Sequence, residues 1–299
     1  MRKIIGPILA ILILSLIAVY TIIPSQIQIK GSSQVDQQIT CLNRGFMQTN
    51  SWSKWIPKNI EFTISETFVT NVKTAIKQDN VNVPVLFSIS NDESNNAYIN
   101  FETDMDNSHW SPFVRIQYFI FAKRLQNKLD RILKAAGNYY SQTKNIYGFD
   151  VIETKVNDSS LLAIDQTLKD TPSTDQIYVM VNRLEQYIIA QNGKAKAAPM
   201  VNITRMGEGQ VYTQVAIPLE RDISVTGSFK IKKMVLGNLL SVEVIGDQSK
   251  INQAFEATKH YIYDKQKSSP AIPFVIYNTN RLLEKDPSRW ISTINYPIF

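Results

Sequence analysis

An α+β fold built on an internal duplication is predicted for this chain, and three observations predict it. The first is a block of alternating and helical periodicity that ends the sequence. It reads as strands over Phe229–Met234 and Leu239–Ile245, a helix over Ser249–Tyr263, and strands over Ile272–Asn278 and Ile291–Ile298. The second is an earlier block that matches it at one constant offset: Asp175 stands over Ser249, Ile177 over Ile251, Val181 over Phe255, Tyr187-Ile188 over Tyr261-Ile262, and Pro199-Met200-Val201 over Pro273-Phe274-Val275. The third is the continuation of the match. Val215-Ala216-Ile217-Pro218 answers Ile294-Asn295-Tyr296-Pro297 once about five extra residues are allowed in the second hairpin, an insertion that an exposed loop tolerates cheaply. Chance matching of apolar positions is the competing explanation. A strand-strand-helix-strand-strand unit that occurs twice would bury one helix on each half of an antiparallel sheet. Two such units side by side predict a ligand cleft at the pseudo-two-fold seam between the helices.

Composition narrows the class. With 299 residues, 44% of them hydrophobic and 19% charged, the chain has enough apolar surface for two domains plus an attachment segment, and it is neither disordered nor fibrous. A net charge of +6 and a pI near 9.2 would suit nucleic acid or an anionic surface. The basic residues are scattered, however. The densest groups, Lys123-Arg124 and Lys230 to Lys233, come without a helix-turn-helix or zinc-finger pattern, so no nucleic-acid partner is expected. The single cysteine, Cys41, excludes an internal disulfide and a cysteine-based metal cluster, and reads as a buried small hydrophobe.

Residues 1–26 are predicted to form a transmembrane anchor. Ile4 to Ile23 runs without a charge and spans about 30 Å as a helix, the hydrocarbon thickness of a bilayer. Arg2 and Lys3 precede it and the first positive charge after it is Lys30. That bias keeps the N-terminus in the cytoplasm and places everything after Pro24 on the periplasmic or extracellular side of the cytoplasmic (inner) membrane, as a single-pass protein. A cleaved signal peptide is the alternative, but the apolar run exceeds a usual h-region and Ile22-Ile23-Pro24 offers no small residues for cleavage.

Residues 27–142 are read as the next domain. Ile27-Gln28-Ile29-Lys30 alternates like a strand, Val35 to Met47 reads as a short helix, and two tryptophans follow in Asn50-Ser51-Trp52-Ser53-Lys54-Trp55-Ile56-Pro57. Strands are predicted over Asn59–Thr70, Val83–Ser90 and Ala97–Thr103, with Asn91 to Asn96 as a loop. An amphipathic helix is predicted from Ser111 to Asn138, since Phe121, Leu125, Leu129 and Ile132-Leu133 recur at helical spacing and Gly137 suits its end. This order of parts, with Trp52, Trp55 and Pro57, resembles the START-like (SRPBCC, polyketide cyclase-like) ligand-binding superfamily. The resemblance implies a helix-grip fold in which a long C-terminal helix closes a curved sheet over an apolar cavity. The short, partly polar strands leave two outcomes open, a retained cavity or a filled one.

After a break around Ser141–Tyr147, residues 148–299 hold the duplication, with first strands over Phe149–Glu153 and Leu161–Thr167. Ser173, Thr174 and Asp175 are candidate caps for a helix that ends near Asn192-Gly193. Tyr277 after Pro273-Phe274-Val275-Ile276, the Asp286-Pro287-Ser288-Arg289-Trp290 segment and the closing Ile294-Asn295-Tyr296-Pro297-Ile298 resemble the GyrI-like effector-binding family, the ligand-sensing domain attached to many bacterial transcription activators. The resemblance implies binding of a small molecule. Two departures qualify it. Many members carry Gly-x-Tyr-Glu where Gly246-Asp247-Gln248-Ser249 keeps the glycine alone. Many also place an acidic residue shortly before the tyrosine that matches Tyr277, where it balances a cationic ligand, and Phe274-Val275-Ile276 has none. The helix-turn-helix usually joined to such a domain has no counterpart here, so direct transcription control is not expected.

No nucleophile with a base, metal-ligand cluster or Gly-rich phosphate loop is legible, and His109 and His260 lie far apart. No cofactor or metal is expected, and nothing indicates an oligomeric state. The candidate ligand-binding residues are aromatic: Tyr178, Tyr187, Tyr261, Phe274 and Tyr277 fall on elements expected to line the seam, where flat rings and hydroxyls suit a small lipophilic molecule. Glu243 is the acidic candidate. Facing the seam it would be desolvated, its pKa raised, and it would serve as a ligand partner or general base; facing the other way it is a solvated glutamate on an alternating strand. The predicted function is binding of a small hydrophobic or amphipathic ligand by a membrane-anchored sensor or sequestering module. Hydrolysis of small reactive compounds through Glu243 and Tyr277, which some GyrI-like relatives imply, and a ligand-free interaction module are the alternatives.

Overall fold

The computed structural model describes residues 2–156, 160–234 and 236–299, with the side chains of residues 2–9 and 208 excepted. The chain is mixed α+β with two antiparallel sheets, one in each of two compact units, Met1–Gln142 and Thr143–Phe299.

The first unit runs α1 (Arg2–Ile22), β1 (Gln26–Val35), α2 (Ile39–Phe46), a 3₁₀ turn at Thr49–Lys54, β2 (Phe62–Thr67), β3 (Asn71–Gln78), β4 (Val81–Asn91), β5 (Ala97–Asp106) and α3 (Pro112–Tyr140). The sheet order is β1-β5-β4-β3-β2, and α3 packs on β1 and β5. Aromatic rings fill the space between helix and sheet. Trp52 lies 4.8 Å from Phe46 and 5.6 Å from Phe87, centre to centre. The Trp52 indole donates to the Phe46 carbonyl at 2.8 Å, and that of Trp55 donates to the Tyr140 hydroxyl at 3.0 Å. Cys41 is buried and free.

Three expectations change in this unit. The strand foreseen over Asn59–Thr70 is β2, and a further strand, β3, pairs with it. Its inward residues are Val72, Thr74, Ile76 and Gln78, so two polar side chains hid the alternation. Asp79 and Asn80 both take positive φ, 47° and 64°, the backbone of a tight hairpin turn into β4 that Asx residues accept. The start of the helix foreseen over Val35 to Met47 is instead the end of β1, whose ten residues all pair with β5. Finally, Gly137 does not end α3. A Cβ there would stand 3.0 Å from the Ser33 hydroxyl oxygen, so the glycine admits close approach of β1 while the helix continues to Tyr140.

Ile4 to Ile22 is helical within α1. The side chains of residues 4–9 in the foreseen anchor lie outside the described residues, and among the described residues no helix is long and apolar enough to cross a membrane.

The second unit runs α4 (Thr143–Tyr147), β6 (Ile152–Lys155), β7 (Ser160–Leu168), α5 (Thr174–Ala190), β8 (Met200–Arg205), β9 (Val211–Pro218), β10 (Lys230–Lys233), β11 (Asn238–Ile245), α6 (Gln248–Asp264), β12 (Phe274–Tyr277) and β13 (Ile291–Ile298). Its eight strands lie in the order β10-β7-β9-β8-β12-β13-β11-β6. The two copies meet at the centre, where Val201 of β8 opposes Val275 of β12. Val201 also opposes Val215, and Val275 opposes Ile294, so the registers repeat the correspondence read from the sequence. Ser173 caps α5 in a reciprocal pair with Gln176 and Asp247 caps α6, each carboxylate or hydroxyl taking up a backbone N–H that the first turn leaves free.

The outer strands depart from the expected hairpins. β6 pairs with β11 and β10 with β7, so each edge strand crosses to the other copy. All four residues of β6 are exposed, and none of those in β10 is fully buried. A strand without a buried face carries no pattern that specifies its partner.

Both helices cover the same face of the sheet, α5 over β9 and β7, α6 over β11 and β13. Leu162, Val215 and Ile217 from the first copy and Val242, Val244 and Ile294 from the second are buried beneath them.

Candidate functional site

The centre of the helix-covered face, where the sequence places a cleft, is occupied by the protein's own side chains. Strand alternation aims Val275 and Tyr277 at the helices. Tyr277 is 3% exposed, and the guanidinium carbon of Arg281 lies 3.5 Å from its ring centre and 4.7 Å from that of Trp290. Arg281 donates through Nη2 to Ser292 Oγ at 2.9 Å, and its backbone N–H donates to the Tyr178 hydroxyl at 2.9 Å, which itself donates to the Thr279 carbonyl at 3.3 Å. Burial pushes the Tyr277 and Tyr178 hydroxyls up from their ordinary range and the Arg281 guanidinium down. The Asp286-Pro287-Ser288-Arg289-Trp290 segment serves this cluster. Asp286 accepts from the Ser288 N–H and hydroxyl, and the Trp290 indole donates to the Glu284 carbonyl at 2.9 Å, which fixes the ring against Arg281.

The opening lies on the other face. A cavity of ≈ 350 Å³ is walled by apolar side chains from both copies, among them Leu161, Met200, Ala216, Leu239, Phe274 and Pro297. Met200 and Phe274 are equivalent positions of the two copies, and they flank the central β8–β12 pair. The cavity therefore straddles the pseudo-two-fold axis. Among the described residues, four polar ones join the lining: Asn202, Gln214, Lys232 and Lys233. Asn202 is committed to the frame, since its amide donates to the Pro273 carbonyl at 2.8 Å and its oxygen accepts from the Thr204 hydroxyl at 3.0 Å. Among the described residues no carboxylate lines the space. Asp165, whose strand position shares this face, is held by Lys230 at 2.7 Å.

Of the candidate ligand-binding residues read from the sequence, Phe274 alone lines this cavity. Tyr178 and Tyr277 belong to the core under the helices. Tyr261, on α6, packs its ring 5.5 Å from that of Tyr147, whose hydroxyl donates to Asp264 at 3.0 Å. Tyr187 stacks 4.0 Å from Phe229, accepts from the Thr226 N–H and donates to the Ser224 carbonyl, so it pins the connection into β10. Glu243 is exposed. Alternation puts it on the open face with Leu239 but roughly 13 Å further along the strand, and on the opposite side of the sheet from Tyr277. Glu243 and Tyr277 therefore share no site.

The reason is geometric. Aromatics on helices reach the face the helices cover, whereas the cavity is on the reverse. Strands that are apolar at consecutive positions signalled it: Leu161-Leu162-Ala163-Ile164, Val215-Ala216-Ile217-Pro218 and Leu239-Leu240 have no polar alternate, as expected where both faces of a strand are withdrawn from water. A second cavity, of ≈ 530 Å³, lies in the first unit, but Asp79, Asp104, Asp106 and Arg124 contribute to its wall. Among the described residues no group of three or more His, Cys, Asp or Glu is placed to hold a metal.

No known protein family and no curated protein matches the chain. Solved structures do. The C-terminal domain of EcmrR aligns at 8% identity and a TM-score of 0.45, over 50% of this chain and 98% of that one. A hydrolase from Listeria innocua aligns at 11% identity and a TM-score of 0.40, over 50% of this chain and 91% of that one. SAV2435, solved bound to tetraphenylphosphonium, aligns at 15% identity and a TM-score of 0.35, over 50% of this chain and 94% of that one.

Proposed function

We propose that this chain binds a small hydrophobic or amphipathic molecule in the cavity on the open face of the second unit's sheet, as a sensor or a sequestering module. The ≈ 350 Å³ apolar space across the pseudo-two-fold axis carries the reading; it falls in the size range of small-molecule sites. A direct test is the thermal stability of the full chain with lipophilic compounds. A ligand at a hundred times its Kd adds roughly 2.7 kcal/mol, and Ala216→Trp, which fills the cavity from its floor, is expected to abolish the gain. An unchanged gain in Ala216→Trp would refute the reading.

Ile4 to Ile23 is the tether in this proposal, with the units after Pro24 outside the cytoplasm. Several features support it. Ile11, Leu12, Leu14 and Ile17 of α1 are more than half, or about half, exposed, and Ile22 is 75% exposed. Arg115, itself buried, donates twice to the Ile23 carbonyl at 2.6 and 3.0 Å and fixes the helix end. Beside it Tyr20 donates to the Trp110 carbonyl. Trp110 and Phe113 are 95% and 77% exposed, as befits rings at a membrane–water boundary.

A further inference from the structure

We infer that the molecule taken up by the open-face cavity is an amphipathic anion, with its apolar body against Met200, Ala216, Leu239 and Phe274 and its oxyanion head at Lys232. The inference rests on the binding reading above and names the ligand class. Among the described residues the charges of the lining are all of one sign, Lys232 and Lys233, with no Asp or Glu beside them. Lys232 pairs with Leu161 across β10 and β7, which brings its side chain to the same face and the same column as that apolar wall residue. It is half-buried.

Its neighbour on this face, Lys230, is neutralised by Asp165 at 2.7 Å. Lys232 has no ion-pair partner among the described residues. Gln214 also lines the cavity, half-buried, and its amide makes no hydrogen bond among the described residues. An ammonium and an amide N–H at the edge of an apolar cavity form a recognition set for a carboxylate or similar head, since charge-assisted hydrogen bonds to an anion are the stronger ones. A cationic ligand would meet repulsion from Lys232 and, among the described residues, no acidic partner. The competing role for Lys232 is a stem that covers apolar surface while its head stays in water, and that role gives no preference among ligand charges.

The test uses the full chain in lipid nanodiscs, with empty nanodiscs as blank, titrated with three probes of one tail and different heads: hexanoate, hexanol and hexyltrimethylammonium. Hexanoate is expected to bind about tenfold more tightly than hexanol, with hexyltrimethylammonium weakest. Lys232→Met should erase the advantage of hexanoate over hexanol, and Lys232→Glu should reverse the order of the charged probes. Equal affinity for the three, or a hexanoate preference that survives Lys232→Met, would overturn the inference while the cavity remained a binding site. Absence of binding by all three would remove the binding reading and this one with it.

Discussion

Arg281 and Tyr277 lie face to face, the guanidinium carbon 3.5 Å from the ring centre, at the middle of the sheet's helix-covered side. The pair is closed in by Trp290 and Ser292. Its consequence is that a residue with the look of a ligand contact is a packing element, while Phe274, three positions earlier on the same strand, faces the opposite way into the cavity.

The two positions should separate cleanly by mutation. Tyr277→Ala is expected to cost about 3–5 kcal/mol of stability, as for other large-to-small core substitutions, and Arg281→Lys roughly 2 kcal/mol, because a compact ammonium cannot stack between two rings. Phe274→Ala, at a half-buried cavity wall, should lower ligand affinity about tenfold with a smaller loss of stability. Denaturant melts and titrations on the three variants decide it. A Tyr277→Ala protein of unchanged stability and lost binding would return that tyrosine to the site.

Alkaline pH should loosen the first unit. Burial pushes the Tyr140 hydroxyl from 10.0 up to about 12. A raised folded-state value means that the neutral form is favoured in the native protein. The contribution is fully present below pH 10 and is lost as pH rises toward 12, on the order of 2–3 kcal/mol. Because Trp55 donates to Tyr140 at 3.0 Å, tryptophan fluorescence during denaturant unfolding at stepped pH is the natural readout. Tyr140→Phe should flatten the dependence across that interval.

The exchange of edge strands can be trapped chemically. Ile152 opposes Ser241 across β6 and β11, so in a Cys41→Ala background Ile152→Cys with Ser241→Cys should oxidise to an intramolecular disulfide, read by mass and by mobility without reductant. Two free thiols under mild oxidation would show that β6 stays with its own copy.

The aromatic rings near the end of α1 should matter at a lipid surface. Trp110→Ser with Phe113→Ser replaces two exposed rings that make little internal packing. Melting temperature is expected to hold while Trp110 emission, blue-shifted in liposomes for the native chain, is lost. If the native chain shows no lipid-dependent shift, those rings lie away from the bilayer boundary.

The sequence alone determined the duplication and most of the elements. The matched blocks around Ile177 and Ile251, and Val215 and Ile294, foretold which residues would take equivalent places, because a repeated pattern of buried positions leaves few ways to pack. The caps at Ser173 and the fold class were legible for the same local reason: helix starts and alternating strands depend on neighbours along the chain. Three matters were decided by the tertiary structure. β3 stayed hidden because Thr74 and Gln78 are buried on its inward face beside Val72 and Ile76, although their chemistry reads as exposed. The partners of β6 and β10 were open because strands without an inward face hold no register of their own. Where the cavity lies was open because a ring's address depends on which face of the sheet the helices cover: Tyr178 and Tyr277 became core, Phe274 became wall, and Lys232 was brought beside Leu161 by a pairing between distant strands. Sequence periodicity says that a strand has two sides; only the assembled layers decide which side is left open.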